Sequence, residues 1–252
     1  MIIFQLTDYP LDTINDAAFV IDQQGYAHFV TALGSDGLAI YATNQSGQWQ
    51  QKTIYSKKGI AYGTIISGHT IESPSLVIDQ QGYAHVALWD FKHKFWLDRG
   101  EGAPVSCSLV YLTNRSNSWH ATPVKLEIAN DSYGMIPPYI SIDKQGHSAI
   151  LYSTVKERET KLNYAHNSAG FWITSTLEQS SSQGDELVAL GMARDGEGRQ
   201  HILYAHNNTL MYAIKENREW RKEIIYNFST NAPIKASFSG GNGSSLHDLV
   251  FM

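Results

Sequence analysis

Apolar and polar positions along this chain fall into short β-rich runs, broken by clusters of Gly, Asn, Asp and Ser. The first such series reads as four strands: Ala17 to Ile21, Ala27 to Ala32, Leu38 to Thr43 and Trp49 to Tyr55. An Asp-Gly turn, the Gly34–Gly37 turn and a Ser-Gly turn separate them, which is the punctuation of antiparallel hairpins. No segment sustains a 3.6-residue apolar period, so helix is expected to be minor.

The same series recurs. Val20–His28 and Val77–His85 are both VIDQQGYAH, and looser copies follow. The turn is Asp22-x-x-Gly25, Asp79-x-x-Gly82, Asp143-x-x-Gly146 and Asp195-x-x-Gly198, with a degenerate fifth form at Gly240-x-x-Gly243. Downstream come Tyr41/Trp49, Tyr111/Trp119, Tyr164/Trp172 and Tyr212/Trp220, each pair eight residues apart. Asn44, Asn114 and Asn167 stand three residues after their Tyr, where the fourth copy has Lys215. Units of this length with four short strands are the signature of propeller blades. The expected fold is an all-β, five-bladed β-propeller of four-stranded antiparallel blades in one domain. Its units are 13–55, 70–128, 133–178, 185–227, and 229–252 completed by 1–9. The strand Ile2–Asp8 would close the ring and remove an open sheet edge. The longer second unit carries its insertion between Asp90 and Ser106.

The repeated residues have structural explanations. An Asp carboxylate accepts backbone N–H groups two or three residues on, and Gly supplies the positive φ of the turn. His28, His85 and His201 start the second strand of their units, so a scaffold role bonding to a nearby turn is expected. The Tyr and Trp are expected to pack between blades with their polar tips on backbone. Exposed at blade edges, they would instead suit stacking on sugar rings.

Composition removes several classes. A formal charge of −5, with no basic stripe, argues against nucleic-acid or anionic-membrane partners. The single cysteine, Cys107, excludes a disulfide framework and cysteine zinc sites, and is expected to be a buried small hydrophobe. No metal or cofactor is expected; His166 and His206, in the near-repeats YAHN, are the weak exception considered. No phosphate loop, His-Glu-x-x-His or Gly-x-Ser-x-Gly occurs. The opening residues lack a signal-peptide pattern, so a cytoplasmic location is expected, a mature or excised secreted domain being the alternative.

The run Asp-x-x-Gly-x-x-His, then Leu-x-Tyr, then Trp, resembles the repeats of sialidase-like, or BNR/Asp-box-like, β-propellers across nearly the whole chain. It departs from the true Asp-box, whose Trp comes sooner. The arginine triad that sialidases use on a carboxylate is not expected, because Arg99, Arg115, Arg158, Arg194, Arg199, Arg218 and Arg221 fall in loops or outer strands. The resemblance therefore implies the fold without the sialidase activity. Some polysaccharide lyases carry similar repeats, and there Asp90, Lys92, His93 and His120 would be the residues to suspect.

Ligands of propellers usually meet the funnel where the innermost strands begin. Those starts carry Asn15 and Asp16, Glu72 and Ser73, Tyr133, Asp185 and Glu186, and Asn231. Five-bladed glycosidases of the arabinanase/xylosidase type place carboxylates at such positions. Asp16, Glu72, Asp185 and Glu186 are the catalytic candidates, since paired carboxylates can divide proton donation from base or nucleophile. The third unit offers Ile136-Pro137-Pro138 and no carboxylate. The expected function is thus a non-catalytic, lectin-like binding module for carbohydrate. Alternatives are a glycoside hydrolase or polysaccharide lyase with carboxylates at the funnel, and a protein-interaction scaffold.

Overall fold

The computed structural model describes residues 14–57, 60–62, 65–96, 101–128, 136–156, 159–180, 187–216 and 219–228. They form four antiparallel sheets with sequential strand order. Blade one is β1 (Ile14–Ile21), β2 (Ala27–Leu33), β3 (Leu38–Thr43) and β4 (Gln50–Ser56). Blade two is β5 (Ile60–Tyr62), β6 (Ile65–Ile78), β7 (Ala84–Trp96), β8 (Glu101–Thr113) and β9 (His120–Ile128). Blade three is β10 (Tyr139–Ile142), β11 (Ser148–Lys156), β12 (Glu159–His166) and β13 (Ile173–Ser180). Blade four is β14 (Leu187–Arg194), β15 (Gln200–His206), β16 (Thr209–Glu216) and β17 (Glu219–Asn227). The sole helical element among the described residues is a 3-10 turn at Gly34–Asp36, so no helix there is long and apolar enough to cross a membrane.

Blade two differs from the expected four strands. It starts at Ile60 rather than at 70, and β5 makes it five-stranded. Its extra length is not a loop. β6, β7 and β8 simply continue past the length of the other blades and stay paired to Ile65–Trp96 and Trp96–Glu101. The fifth unit (229–252 with 1–9) and its ring closure lie outside the described residues.

The Asp turn forms as its residues dictate. Asp22 Oδ1 accepts the N–H groups of Gln24 and Tyr26 at 3.0 and 2.8 Å, while Gly25 at φ 86° returns its N–H to the Asp22 carbonyl. Asp79, Asp143 and Asp195 repeat this bonding. A second clasp ties each first hairpin to its third strand: Asn44, Asn114 and Asn167 accept the N–H groups of Ala27, Ala84 and Ser148.

The histidines close a buried relay inside their own blades. His28 Nε2 meets Asp22 Oδ2 at 3.1 Å and its Nδ1 meets the Tyr41 hydroxyl at 2.6 Å. A carboxylate can only accept, so Nε2 carries the proton and Nδ1 accepts from the tyrosine. His85 joins Asp79 to Tyr111, and His201 joins Asp195 to Tyr212, in the same way. The tyrosine tips therefore reach histidine side chains rather than backbone, because the β2–β3 register sets the histidine two positions from its tyrosine's partner (His28 pairs with Thr43, Val30 with Tyr41). Burial lowers the His85 pKa against the opposing pull of Asp79, and it raises Tyr41 to about 12.

The core lies between blades. One cluster joins blades one and two (Val30, Ile71, Leu88), a second joins two and three (Trp89, Leu109, Ile150), and a third joins three and four (Leu151, Leu162, Ile202). The innermost strands touch in succession, β1 with β6, β6 with β10 and β10 with β14. Cys107 is buried in the second cluster.

Candidate functional site

Two groups of polar side chains join blade one to blade two, one between β1 and the middle of β6, the other between β4, β6 and β7. The first is built on Asp16 of β1. Its Oδ2 accepts the Ser73 N–H at 3.0 Å and the Ser73 hydroxyl at 3.3 Å, joining blade one to blade two. Ser73 lies where the β6–β7 register slips between Glu72 and Ser75. It adopts φ 52°, a left-handed conformation uncommon for a residue with a side chain. The slip frees its N–H from the ladder for Asp16.

Glu72 precedes this kink. Burial pushes its carboxyl above the usual range, and the negative charge of Asp16 pushes it further. Asp16 is exposed, whereas Glu72 is half-buried. Two neighbouring carboxylates are thus placed unequally: one held by two donors and open to water, the other biased to keep its proton. That division suits a base or nucleophile beside a proton donor.

The second group surrounds Asp90 of β7, whose side chain is only 7% exposed. The Tyr55 hydroxyl donates to Oδ2 at 2.7 Å, and His69 Nδ1 donates to Oδ1 at 2.6 Å. Tyr55 comes from β4, so Asp90 also pins blade one to blade two. Burial and the Asp90 partner raise the Tyr55 pKa far above its ordinary value. Burial lowers His93, and the neighbouring His69 lowers it further. His69 and Glu72 share β6, so both groups face the same end of the molecule.

The structure separates the other lyase suspects. Lys92 is exposed on β7, and His120 sits at the opposite end of blade two on the Ser118 hydroxyl. His69 and Tyr55 were missed. Tyr55 recurs only as Tyr226 of blade four and His69 belongs to no repeated position, so only their tertiary approach to Asp90 marks them. Asn15 lies in β1, while Tyr133, Asp185, Glu186 and Asn231 lie outside the described residues. His166 and His206 end up at opposite ends of their blades, pairing with Ala149 and Leu187 respectively, and no metal-binding group occurs among the described residues. Arg194 is a correction: it ends β14, an innermost strand, rather than a loop or outer strand.

Three of the four repeated tyrosines are committed to packing, while the Trp49 ring of blade one is 39% exposed. The Tyr41 ring meets Trp119 at 5.0 Å, Tyr111 meets Trp172 at 5.1 Å and Tyr164 meets Trp220 at 5.1 Å, each edge-on and each across a blade boundary. Those tyrosines are buried at 3–7% exposure, so they offer no platform to a sugar.

No family model matches the chain, and no curated protein matches it significantly. Solved structures do. An α-L-arabinofuranosidase from Fusarium graminearum, in complex with an iminosugar inhibitor, is 12% identical over 87% of this chain and 68% of its own, with a TM-score of 0.52. A Penicillium chrysogenum α-L-arabinanase bound to arabinobiose is 11% identical over 86% of this chain and 68% of its own, with a TM-score of 0.51. The NanB sialidase of Streptococcus pneumoniae is 9% identical over 89% of this chain and 54% of its own, with a TM-score of 0.50. At such identities the likeness is one of fold: the blades are those of a sialidase-like propeller.

Proposed function

We infer that this chain is a propeller enzyme acting on a glycan, a glycoside hydrolase with Glu72 as proton donor and Asp16 as the second carboxylate. The observation that carries this reading is the unequal pair itself, with Glu72 raised by burial and by Asp16 while two Ser73 donors hold Asp16. Protonating the leaving oxygen needs an acid that keeps its proton near neutral pH, and the partner must stay free to activate water or attack the sugar. The fold shared with an arabinofuranosidase, an arabinanase and a sialidase supports it, since enzymes of all three kinds act on glycans. A non-catalytic lectin-like module loses much of its motivation once Tyr41, Tyr111 and Tyr164 are packed against the Trp of the next blade. The five-bladed ring, closed by 1–9 against 229–252, belongs to the same proposal.

A second reading rests on Asp90. A lyase needs a base to remove the proton beside a uronate carboxylate and an acid to protonate the departing oxygen. His69 and Tyr55, both ordered by one buried carboxylate, provide imidazole and phenol.

Incubation with arabinan, arabino-oligosaccharides, sialosides and uronate polysaccharides separates these readings. A hydrolase releases saturated reducing ends, and Glu72→Gln abolishes the release. A lyase releases unsaturated, ultraviolet-absorbing ends and depends on His69 instead. Full turnover by the Asp16→Asn, Glu72→Gln double variant would dispose of the hydrolase.

A further inference from the structure

Four positions that repeat in the other blades change at one place, the boundary between blades three and four. The histidine of the relay (His28, His85, His201) becomes Ala149 in blade three. The threonine or isoleucine two residues after the repeat tyrosine (Thr43, Thr113, Ile214) becomes His166. The isoleucine before the turn aspartate (Ile21, Ile78, Ile142) becomes Arg194 in blade four. The clasping asparagine (Asn44, Asn114, Asn167) becomes Lys215. Substitutions scattered in sequence that meet in space are unlike random drift of a scaffold.

Three of the four, His166, Arg194 and Lys215, line a cavity of about 170 Å³ together with Tyr164 and Ser168 of blade three and Gly198 of blade four, and the fourth, Ala149, is the buried cross-strand partner of His166. At about 30 Å³ per water, that is roughly the room of five to six waters. Ala149 replaces the histidine that bonds Tyr41, Tyr111 and Tyr212 in the other blades, so no such bond holds the Tyr164 hydroxyl beside the cavity. The rim is also shorter here: Gln45 and Arg115 reach the turn glycines of the next blade, Gly82 and Gly146, but Ser168 occupies that position in blade three, and nothing lies within 4 Å of where a side chain on Gly198 would begin.

The cavity is cationic, and two of its cations, Arg194 and Lys215, form no ion pair among the described residues. Arg194 gives one bond, from Nη1 to the Gly198 carbonyl at 3.2 Å, and its buried Nε has no partner among the described residues. Lys215 has no carboxylate or carbonyl partner there either; its ammonium rests 4.5 Å above the Tyr164 ring. His166 spends Nδ1 on Ser168 and keeps its other nitrogen available. Burial lowers both Lys215 and His166, and Arg194 lowers both further, as expected of like charges gathered without a counter-ion. The Asp143 carboxylate, also at the cavity, is already engaged by the N–H groups of Gln145 and His147 and by the His147 ring. Arg199 is paired with Asp195 and Glu197. An unpaired, half-buried Arg and Lys side by side are costly unless an anion joins them.

We propose that this inter-blade cavity is a binding site for a small oxyanion group, a carboxylate, sulfate or phosphate, held by Arg194 and Lys215 with the Tyr164 hydroxyl as a further donor. The site is separate from Asp16 and Glu72 and does not depend on the enzymatic reading. A free inorganic anion and an acidic sugar would present the same chemistry.

The test is titration calorimetry of the full chain with sodium glucuronate, sodium sulfate and sodium phosphate, at ionic strength fixed with chloride, and with glucose as the neutral control. The variants restore the repeat and so are compatible with the fold: Ala149→His and Lys215→Asn. Saturable binding of at least one oxyanion, near about 1 mM or tighter for two charge-assisted contacts, is expected with the wild type. Each variant should weaken it at least tenfold, and glucose should not compete. Binding of glucuronate alone assigns an acidic sugar, and binding of sulfate or phosphate alone assigns an inorganic or ester anion. Absence of saturable binding, equal binding by both variants, or equal competition by glucose would each overturn the proposal.

Discussion

The Tyr41 ring of blade one meets Trp119 of blade two edge-on, with centroids 5.0 Å apart and planes inclined by 60°. The same residue pair one blade on, Tyr111 with Trp172, lies at 5.1 Å and 66°. The repeat is thus staggered: Trp119, Trp172 and Trp220 each serve the tyrosine of the preceding blade, so neighbouring units share a packed interface. Trp119→Leu is expected to cost about 2–4 kcal/mol, the range of large-to-small changes at packed aromatic sites. A Tyr41→Leu, Trp119→Leu double-mutant cycle should show coupling of about 0.5–1.5 kcal/mol in urea unfolding. Strict additivity would deny the contact.

The His85 relay makes stability depend on pH in a defined direction. Burial holds the His85 pKa below its unfolded value of about 6.5, so the unfolded chain binds the extra proton first. Its contribution is complete above that value and is lost as pH falls through the lowered folded pKa. Denaturant midpoints measured from pH 8 down to pH 5 should fall for the wild type. His85→Gln should be less stable at pH 8 and show a flatter decline.

The Asp195 turn has its loss at a lower pH. Bonds from His201 first, then from Arg199 and the turn N–H groups, outweigh burial and hold its carboxyl well below the usual range. Its stabilisation is present above an unfolded value of about 3.9 and disappears on acidification through the depressed folded value. Asp195→Asn should therefore narrow the stability gap between pH 5 and pH 2.5 relative to the wild type, read by thermal melts at both.

Catalysis by the proposed pair has a signature beyond loss of rate. Glu72→Gln should lower kcat/KM by about 100- to 10,000-fold, the contribution typical of general acid catalysis. Asp16 raises the Glu72 pKa, so removing its charge in Asp16→Asn should let Glu72 ionise at lower pH. The alkaline limb of the residual pH–rate profile then moves to lower pH. An unmoved limb would show that Glu72 is not the group titrating.

Ser73 separates backbone from side chain. Its left-handed φ of 52° suits glycine, and its N–H as well as its hydroxyl bonds Asp16. Ser73→Gly should fold within about 0.5 kcal/mol of the wild type, because relief of strain offsets added unfolded-state freedom. Ser73→Val, β-branched at the same φ, should lose about 1–3 kcal/mol. Urea midpoints of the two variants compare them directly.

Much of the blade was legible because its determinants are local. Asp22 to Gly25 bond within one turn, Asn44 sits at a fixed spacing from Tyr41, and alternating apolar residues specify which strand face is buried. Asp16 does fall near the start of β1, but Glu72 and Ser73 lie inside β6, which begins at Ile65, because blade two's strands run longer than the repeat implies. What could not be read is where side chains from different blades meet. That Tyr55 and His69 converge on Asp90 depends on the angle between blades one and two, which no spacing encodes. The same holds for Arg194, Lys215 and Tyr164: each is visible in the sequence as a departure from the repeat, yet only the stacking of blade four on blade three gathers them around one cavity. Local hydrogen bonding dictated the units; long-range packing between them decided which of their exceptions became neighbours.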